Sequence, residues 1–122
     1  MAENDVIEDR KKFYNEKHGS EINGCELKKS SIQSDFEKMI LHFSPELIAV
    51  SCLSVDFSFA INFLRPFKQK YHIPIIFGGI HAILMPDGVL NSGISDFVCI
   101  GEGENSFPDL LAVLDKGESP KQ

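Results

Sequence analysis

The sequence lacks the features that carry a protein into a membrane or onto nucleic acid. Its longest apolar run, Leu47–Leu53, falls far short of the roughly 20 residues that span a bilayer. It has no basic stripe, since Lys28–Lys29 and Lys68–Lys70 are short and well separated in a chain of net charge −6. Phosphate contacts dominate nucleic-acid affinity, so this acidic chain is a poor DNA or RNA binder. We expect neither a membrane nor a nucleic-acid partner.

Catalytic motifs and metal-binding clusters are also missing. The sequence has no G-x-S-x-G elbow, no Walker motif and no H-E-x-x-H. Its three cysteines, Cys25, Cys52 and Cys99, match no zinc or iron–sulfur spacing, and its four histidines are scattered. Cys52 and Cys99 lie in apolar runs, where a cysteine usually acts as a small buried hydrophobe. We expect no complete catalytic site and no metal site in this chain.

A secretory signal is absent as well. Residues Met1–Asp5 are acidic and no apolar stretch follows them, unlike a signal peptide. The composition, with 43% hydrophobic and 25% charged residues over 122 positions, is that of one ordinary globular domain. The sequence therefore predicts a cytoplasmic, single-domain protein.

The first thirty residues are only weakly patterned. A helix over Asp5–Lys17 and a short strand over Ile22–Leu27 are predicted there, as part of the same domain. Residues 31–116 are predicted to form an α/β domain, and residues 117–122 a polar tail.

From Ser34 onwards the pattern is sharper. Ser34–Glu37 is a capping box that predicts a helix start, and Ser44-Pro45 predicts its end. The predicted buried face of this helix is Phe36, Met39, Ile40 and Phe43. A second helix spans Phe57 to Tyr71, with a kink or restart expected at Pro66. A third covers Pro86–Asn91. The last is predicted to start at Ser106, with Pro108 in its first turn, and to bury Phe107, Leu110, Leu111 and Leu114.

Three apolar runs alternate with these helices. Leu47–Leu53, Ile73–Phe77 and Asp96–Ile100 read as strands, and their unbroken apolarity predicts cover on both faces. Strands that alternate with helices form parallel sheets through right-handed crossovers. We therefore predict a Rossmann-like or flavodoxin-like parallel sheet with helices on both faces. Ligands of such sheets bind beyond the carboxyl ends of the strands.

The loop after each strand has an unusual composition. Ser51 lies near the end of the first strand, where nothing in the strand needs a hydroxyl and a ligand contact is favoured. Ser54 and Asp56 follow it, and either can contact a ligand or cap the next helix. Gly78 and Gly79 follow the second, where missing Cβ atoms allow either a tight turn or close approach of a ligand. His81, directly after them, is a ligand contact, a proton donor or simply a polar loop residue.

The third loop, Gly101–Ser106, is rich in glycine and glutamate. Two carboxylates would repel a phosphate, so this is not a phosphate-binding loop. Glu102 and Glu104 are suited to accept hydrogen bonds from a ligand's amides or hydroxyls, or to stabilise a helix N-terminus. The helix role is the stronger interpretation for Glu104 and the weaker one for Glu102.

Together these loops resemble a known family. Ser51-x-Leu53, followed after 24 residues by Gly78-Gly79, is similar to the S-x-L…G-G pattern of the cobalamin-binding fold. The stretch with Gly78-Gly79-Ile80-His81 and the G-E-G-E-N-S-F-P-D-L-L segment at 101–111 resembles the N-terminal cobalamin-binding module of radical S-adenosylmethionine proteins. The resemblance covers about residues 31–115.

The resemblance implies a corrinoid on the carboxyl ends of the strands. Its nucleotide tail would run in near Ser51 and the glycine pair, and the Gly101–Glu104 loop would lie close to the corrin edge. The implied contacts are Ser51, Leu53, Ser54, Gly78, Gly79, His81, Gly101, Glu102 and Gly103. In such proteins a barrel domain follows, which carries a 4Fe–4S cluster and S-adenosylmethionine and is the implied partner of the module.

The sequence departs from the family in two ways. No C-x-x-x-C-x-x-C occurs, so the chain resembles an excised module that performs no radical chemistry itself. The apolar first strand of the family is also missing. The D-x-H-x-x-G box of the wider cobalamin fold has no counterpart near residues 4–9, but the absence of its cobalt-ligating histidine is usual for the radical S-adenosylmethionine branch. A sheet without that strand has a gap, which a second copy in a homodimer or an exchanged segment would fill.

Two alternatives to cobalamin binding follow from the same residues. One is a degenerate Rossmann-like module that docks onto a partner and binds no cofactor. The other is a phosphoacceptor or nucleotide-binding domain. It needs clustered aspartates at strand ends, which Asp56 and Asp96 do not supply.

Overall fold

The computed structural model describes residues 30–119. Over that range it has five helices and three strands. In chain order they are α1 (Ile32–Phe43), β1 (Ile48–Ser51), α2 (Phe57–Tyr71), β2 (Ile75–Gly78), α3 (Ile80–Leu84), α4 (Pro86–Leu90), β3 (Phe97–Val98) and α5 (Gly103–Asp115). The helix and strand predicted before residue 30, and Cys25, lie outside the described residues.

The three strands form one parallel sheet in the order β1-β2-β3. Ser51 lies opposite Gly78 on β2, and Phe77 lies opposite Val98 on β3. The predicted α/β class and parallel sheet are confirmed. In the described part of the chain, no helix is both long and apolar enough to cross a membrane.

The core lies on one face of the sheet. Ile75 and Phe77 of β2 have no exposed surface and pack against Ile61 and Leu64 of α2. Val89 of α4 and Ile94 close the same cluster. Successive side chains of a strand point to opposite faces of the sheet. Ile48 and Val50 of β1 therefore lie on the same face as their partners Ile75 and Phe77.

The opposite face is covered much less, so the expectation of strands buried on both faces is wrong for β1. Its residues alternate between half-buried and exposed, with Ala49 and Ser51 on the exposed side. Helix α5 lies on this side, and it has no buried residue. Phe107, Leu110 and Leu114 are half-buried rather than buried, and Leu111 is exposed.

Helix α1 corrects two further predictions. It starts at Ile32, so Ser34 lies inside the first turn and is not the N-cap residue. Only Phe36 and Ile40 turn towards the core, because the Phe36 ring packs on Phe63 and Phe67 of α2 at 5.2 and 4.9 Å. Met39 and Phe43, predicted to be buried, are 54% and 68% exposed. The predicted end at Ser44 is confirmed.

The other helix boundaries follow local chemistry only in part. Helix α2 runs through Pro66 without the predicted restart. Helix α5 begins three residues before Ser106, so Ser106 is not its cap. The Ser106 hydroxyl instead donates to the carbonyl of Glu102 at 3.3 Å. Short helix α3, directly after the glycine pair, was not predicted.

The Asp96 carboxylate links neighbouring elements at the amino-terminal end of the sheet. Asp96 Oδ2 accepts a hydrogen bond from the backbone N–H of Ile75 at 2.8 Å and pairs with Lys68 Nζ at 2.5 Å. Lys68 Nζ also donates to the Ile73 carbonyl at 3.1 Å. Asp96 therefore joins β3, β2 and α2 at the end of the sheet opposite the strand-end loops.

We predict that Asp96→Ala lowers the free energy of unfolding by about 2 kcal/mol, because the Ile75 N–H at a fully buried position loses its acceptor. Lys68→Met removes a partly exposed ion pair and the Nζ hydrogen bond to the Ile73 carbonyl, but it leaves the Ile75 N–H bonded to Asp96, so it is expected to cost only about 1 kcal/mol. Urea unfolding of both variants measures the difference. Equal losses would show that the ion pair, and not the backbone contact, is the stabilising part.

Candidate ligand-binding cleft

The carboxyl ends of the strands lie side by side, as the register requires. Ser51 ends β1 opposite Gly78, which ends β2, and the Cys99 N–H after β3 donates to the Phe77 carbonyl at 2.8 Å. The three unusual loops therefore leave the sheet at one edge. This juxtaposition is what the sequence pattern predicted.

A cleft of about 510 Å³ opens beside this edge, on the thinly covered sheet face and next to the start of α5. We call it the strand-end cleft. Its lining residues are Ala49, Val50, Ser51, Ile76, Gly78, Gly79, Cys99, Gly101, Gly103, Glu104 and Phe107. Five of the nine predicted contact residues are among them: Ser51, Gly78, Gly79, Gly101 and Gly103.

The two glycines of the pair have different roles. Gly79 has φ +86°, and a Cβ there would lie 2.9 Å from Ser51 Oγ and 3.0 Å from the Cys52 carbonyl oxygen. The chain's own β1 loop therefore requires glycine at 79, whatever binds. A Cβ on Gly78 would meet only Cys99 Cβ, at an ordinary 3.7 Å. Gly78 is the glycine that leaves room in the cleft.

Backbone hydrogen bonds hold the first two loops together. The Cys52 N–H donates to the Gly78 carbonyl at 3.4 Å, and the His81 N–H donates to the Cys52 carbonyl at 3.5 Å. Both hydrogen bonds are long. They join the loop after β1 to the loop after β2, next to the close approach of Gly79 to Ser51. The Ser51 hydroxyl is thus fixed beside the glycine pair.

His81 and Ser54 pair with each other and do not line the cleft. His81 Nδ1 lies 3.0 Å from Ser54 Oγ, and the imidazole lies over the Phe57 ring with centroids 4.1 Å apart. Leu53, also outside the lining, is 51% exposed. These three predicted contacts therefore lie beyond the cleft, on the rim formed by the loops.

The third loop reverses the expected roles of its glutamates. Glu102 occupies the N-cap position of α5, in an extended conformation, and is not among the lining residues. Glu104 lines the cleft. The helix begins at Gly103, earlier than predicted, so Glu104 lies in its first turn and Glu102 at its N-cap. Gly101 has φ +100° with no atom within 4 Å of a Cβ built there, so its freedom serves the turn.

Several lining residues were not predicted as contacts. Ala49 and Ile76 point to the thinly covered face, and Phe107 reaches it from α5. The alternation of side chains along β1 was the available signal, since Ala49 shares a face with Ser51. Cys99 lies two residues before Gly101, and its Sγ is 3.4 Å from Ser106 Oγ.

Two thiols lie at or near the cleft: Cys99 is among its lining residues, and Cys52 lies outside them. Burial raises the pKa of the Cys52 thiol, and the nearby Asp56 carboxylate raises it further, so this thiol stays protonated at neutral pH. Among residues 30–119 no group of three histidine, cysteine or carboxylate side chains is placed to hold a metal ion. The arrangement offers a hydroxyl, one carboxylate and apolar walls.

The aspartates of the phosphoacceptor alternative do not meet. Asp56 stands at the N-cap position of α2, near the strand-end loops. Asp96 is bonded to Ile75 and Lys68 at the opposite end of the sheet. They form no shared carboxylate cluster.

Comparison with known proteins gives a family and a fold. A family model described as the B12 binding domain matches residues 14–111. The crystal structure of the N-terminal domain of a hypothetical protein from Thermotoga maritima superposes with a TM-score of 0.55 at 21% identity. The match covers 82% of this chain and 77% of that one, and this likeness concerns the fold alone. No curated protein matches the chain significantly.

The geometry of the glycine pair predicts the outcome of two alanine substitutions. Gly79→Ala and Gly93→Ala both place a Cβ on backbone of positive φ, +86° and +74°, but Gly93 has no atom within 4 Å of that Cβ. Gly93→Ala is expected to cost about 1 kcal/mol of unfolding free energy. Gly79→Ala is expected to cost about 2 kcal/mol more, because Ser51 and Cys52 must shift. Urea unfolding compares them, and equal costs would mean that β1 and β2 loops are not packed against each other.

Proposed function

Because this chain belongs to the B12 binding domain family, we propose that it holds a corrinoid at the carboxyl ends of its strands. In this proposal the nucleotide tail enters the strand-end cleft, and the corrin ring lies over the rim beside it. The observation that carries the proposal is that Ser51, Gly78 and the Gly101–Glu104 loop border one cleft.

The fit of the cleft to the tail rests on its shape and lining. Gly78 leaves the sheet bare where a side chain would otherwise fill the space, and Ala49 is small. Ile76 and Phe107 add apolar walls for a flat aromatic base. Pockets of this kind, apolar with a few placed polar groups, are typical of cofactor sites. The residues present therefore fit the group.

The rim suits the ring itself. Each strand-end loop carries at least one exposed aliphatic side chain: Leu53 is 51% exposed and Val55 85%, Ile80 is 56% exposed and Ile100 65%. Exposed apolar residues gathered in one place usually mark a binding surface. Ser51 Oγ and the Glu104 carboxylate are suited to hydrogen-bond the polar groups of the ligand, including its amides.

His81 lies on the rim, over which the corrin ring is proposed to lie. Its Nδ1 is held by Ser54 Oγ, and its face lies against the Phe57 ring. In this proposal these two contacts orient the imidazole and stiffen the rim. When bound, the corrinoid supplies a cobalt centre that carries alkyl groups, and this chain contributes its orientation and exclusion of water.

We further propose that the module belongs to a radical S-adenosylmethionine enzyme of the cytoplasm. The G-E-G-E-N-S-F-P segment at 101–108, together with the Gly78–His81 stretch, supports this assignment. Its partner would be a barrel domain that carries the 4Fe–4S cluster and S-adenosylmethionine. The radical chemistry would reside in that domain, above the corrin ring.

The test is binding of hydroxocobalamin to the full chain. We predict a shifted visible spectrum and co-elution of cobalamin with the protein on gel filtration. Gly78→Ala is expected to weaken binding about tenfold, since one methyl group in a filled cleft costs of the order of 1 to 3 kcal/mol. Gly88→Ala is the matched control, because its Cβ also meets only ordinary contacts, at 3.8 Å from Met85, and lies outside the cleft.

Two results would contradict the proposal. One is folded wild-type protein that neither shifts the spectrum nor retains cobalamin. The chain would then be a relative of the family that serves as an interaction module without a cofactor. The other is equal weakening by both alanine variants, which would place the ligand elsewhere.

A further inference from the structure

The outer edge of β1 is unpaired within the described residues. Strand β1 pairs with β2 on one side and with no other described strand. The N–H groups of Ile48 and Cys52 point towards β2, where they donate to Pro74 and Gly78. Since successive peptide groups of a strand alternate in direction, those of Ala49 and Ser51 point outwards. Such an edge is a template for another strand.

An apolar stripe on α1 is uncovered as well. Ile32, Met39 and Phe43 recur at helical spacing, so they share one side of the helix. They are 67%, 54% and 68% exposed. Phe36 and Ile40, which face the core, lie on the adjacent side. We call these three residues the α1 stripe.

The edge and the α1 stripe lie on the same flank of the domain. Helix α2 covers the sheet between β1 and β2, and Val89 and Ile94 fill the core on the same face. Helix α1 packs beside α2 through Phe36, and Glu37 of α1 bonds to Lys70 of α2. Lys68 of α2 reaches Asp96 beside β3, whereas Phe63 and Phe67, which contact α1, lie on another side of α2. This arrangement puts α1 on the side of α2 away from β3, which is the side of β1 and its open edge.

We propose that a second copy of this chain covers this flank, with the two β1 strands paired antiparallel and the two α1 stripes packed on each other. Two antiparallel strands related by a twofold axis can pair the outward N–H and C=O groups of the same edge in both copies. The same axis keeps both core faces on one side and brings α1 next to its counterpart. Both unsatisfied features are thereby covered by one isologous interface.

The area favours a copy of the chain over a short peptide. A stable interface needs roughly 600 Å² from each partner. Three large side chains exposed to this degree supply roughly 300 Å², and the strand edge with its flanking residues supplies the remainder. A single added strand would pair with the edge and leave most of the α1 stripe in water. The proposal does not rest on corrinoid binding.

Light scattering after gel filtration of the full chain tests the proposal. The expected mass of the wild type is twice the 13.6 kDa of one chain. Phe43→Glu puts a charge in the α1 stripe and is expected to raise the dimer dissociation constant at least tenfold. Leu41→Glu is the matched control, since Leu41 is 65% exposed on the other side of the same helix, and it is expected to leave the mass unchanged.

A second variant tests the strand edge separately. Ala49→Pro removes an outward N–H that bonds to no described strand, so β1 still pairs with β2 while its edge is blocked. It is expected to weaken dimerisation at least tenfold, with the circular dichroism of folded wild type. A monomeric wild type overturns the proposal, as does a dimer that tolerates Phe43→Glu or Ala49→Pro.

Discussion

The candidate site depends on the register of β1 against β2. Ser51 lies opposite Gly78, and the next residue, Gly79, passes so close to Ser51 and Cys52 that no Cβ fits. This contact sets where both loops leave the sheet. A shift of one residue would turn Ser51 to the core face and remove its hydroxyl from the cleft. The position of every lining residue on β1 and β2 follows from this pairing.

The second constraint is that the sheet has one filled face. The core cluster occupies the side of Phe77, whereas α5 covers the other side with half-buried residues only. Thin cover leaves space for the strand-end cleft beside Gly78, and the uncovered parts of β1 and α1 share one flank. The proposed binding site and the proposed dimer interface therefore both lie where little of the surface of β1 is buried.

The fold was largely predictable from the sequence because its signals are local and strong. Three apolar runs separated by helical patterns specify parallel strands, and the parallel order specifies that their following loops meet. The exposure of one face of β1 was not predictable from the run Leu47–Leu53, since an apolar run looks the same whether its second face meets a helix or stays open. The predicted burial of Met39 and Phe43 was wrong for the same reason, because helical periodicity identifies the apolar side of a helix but does not show what covers that side.

The site was predictable only as far as the backbone determines it. The glycines and Ser51 follow from strand ends, and they line the cleft. Glu104 replaced Glu102 because α5 starts at Gly103, a boundary that the capping signal at Ser106 concealed. The pairing of His81 with Ser54 needed the tertiary approach of two loops, which no sequence spacing shows. Whether the predicted contacts bind a cofactor stays a prediction.

The most direct measurement is hydrogen–deuterium exchange of the full chain with and without hydroxocobalamin. A ligand in the strand-end cleft slows exchange at the amides of residues 51–54, 78–81 and 101–104 together, and leaves the Asp96 end of the sheet unchanged. Protection confined to one loop, or to the Asp96 end, would contradict a cleft shared by three strand ends.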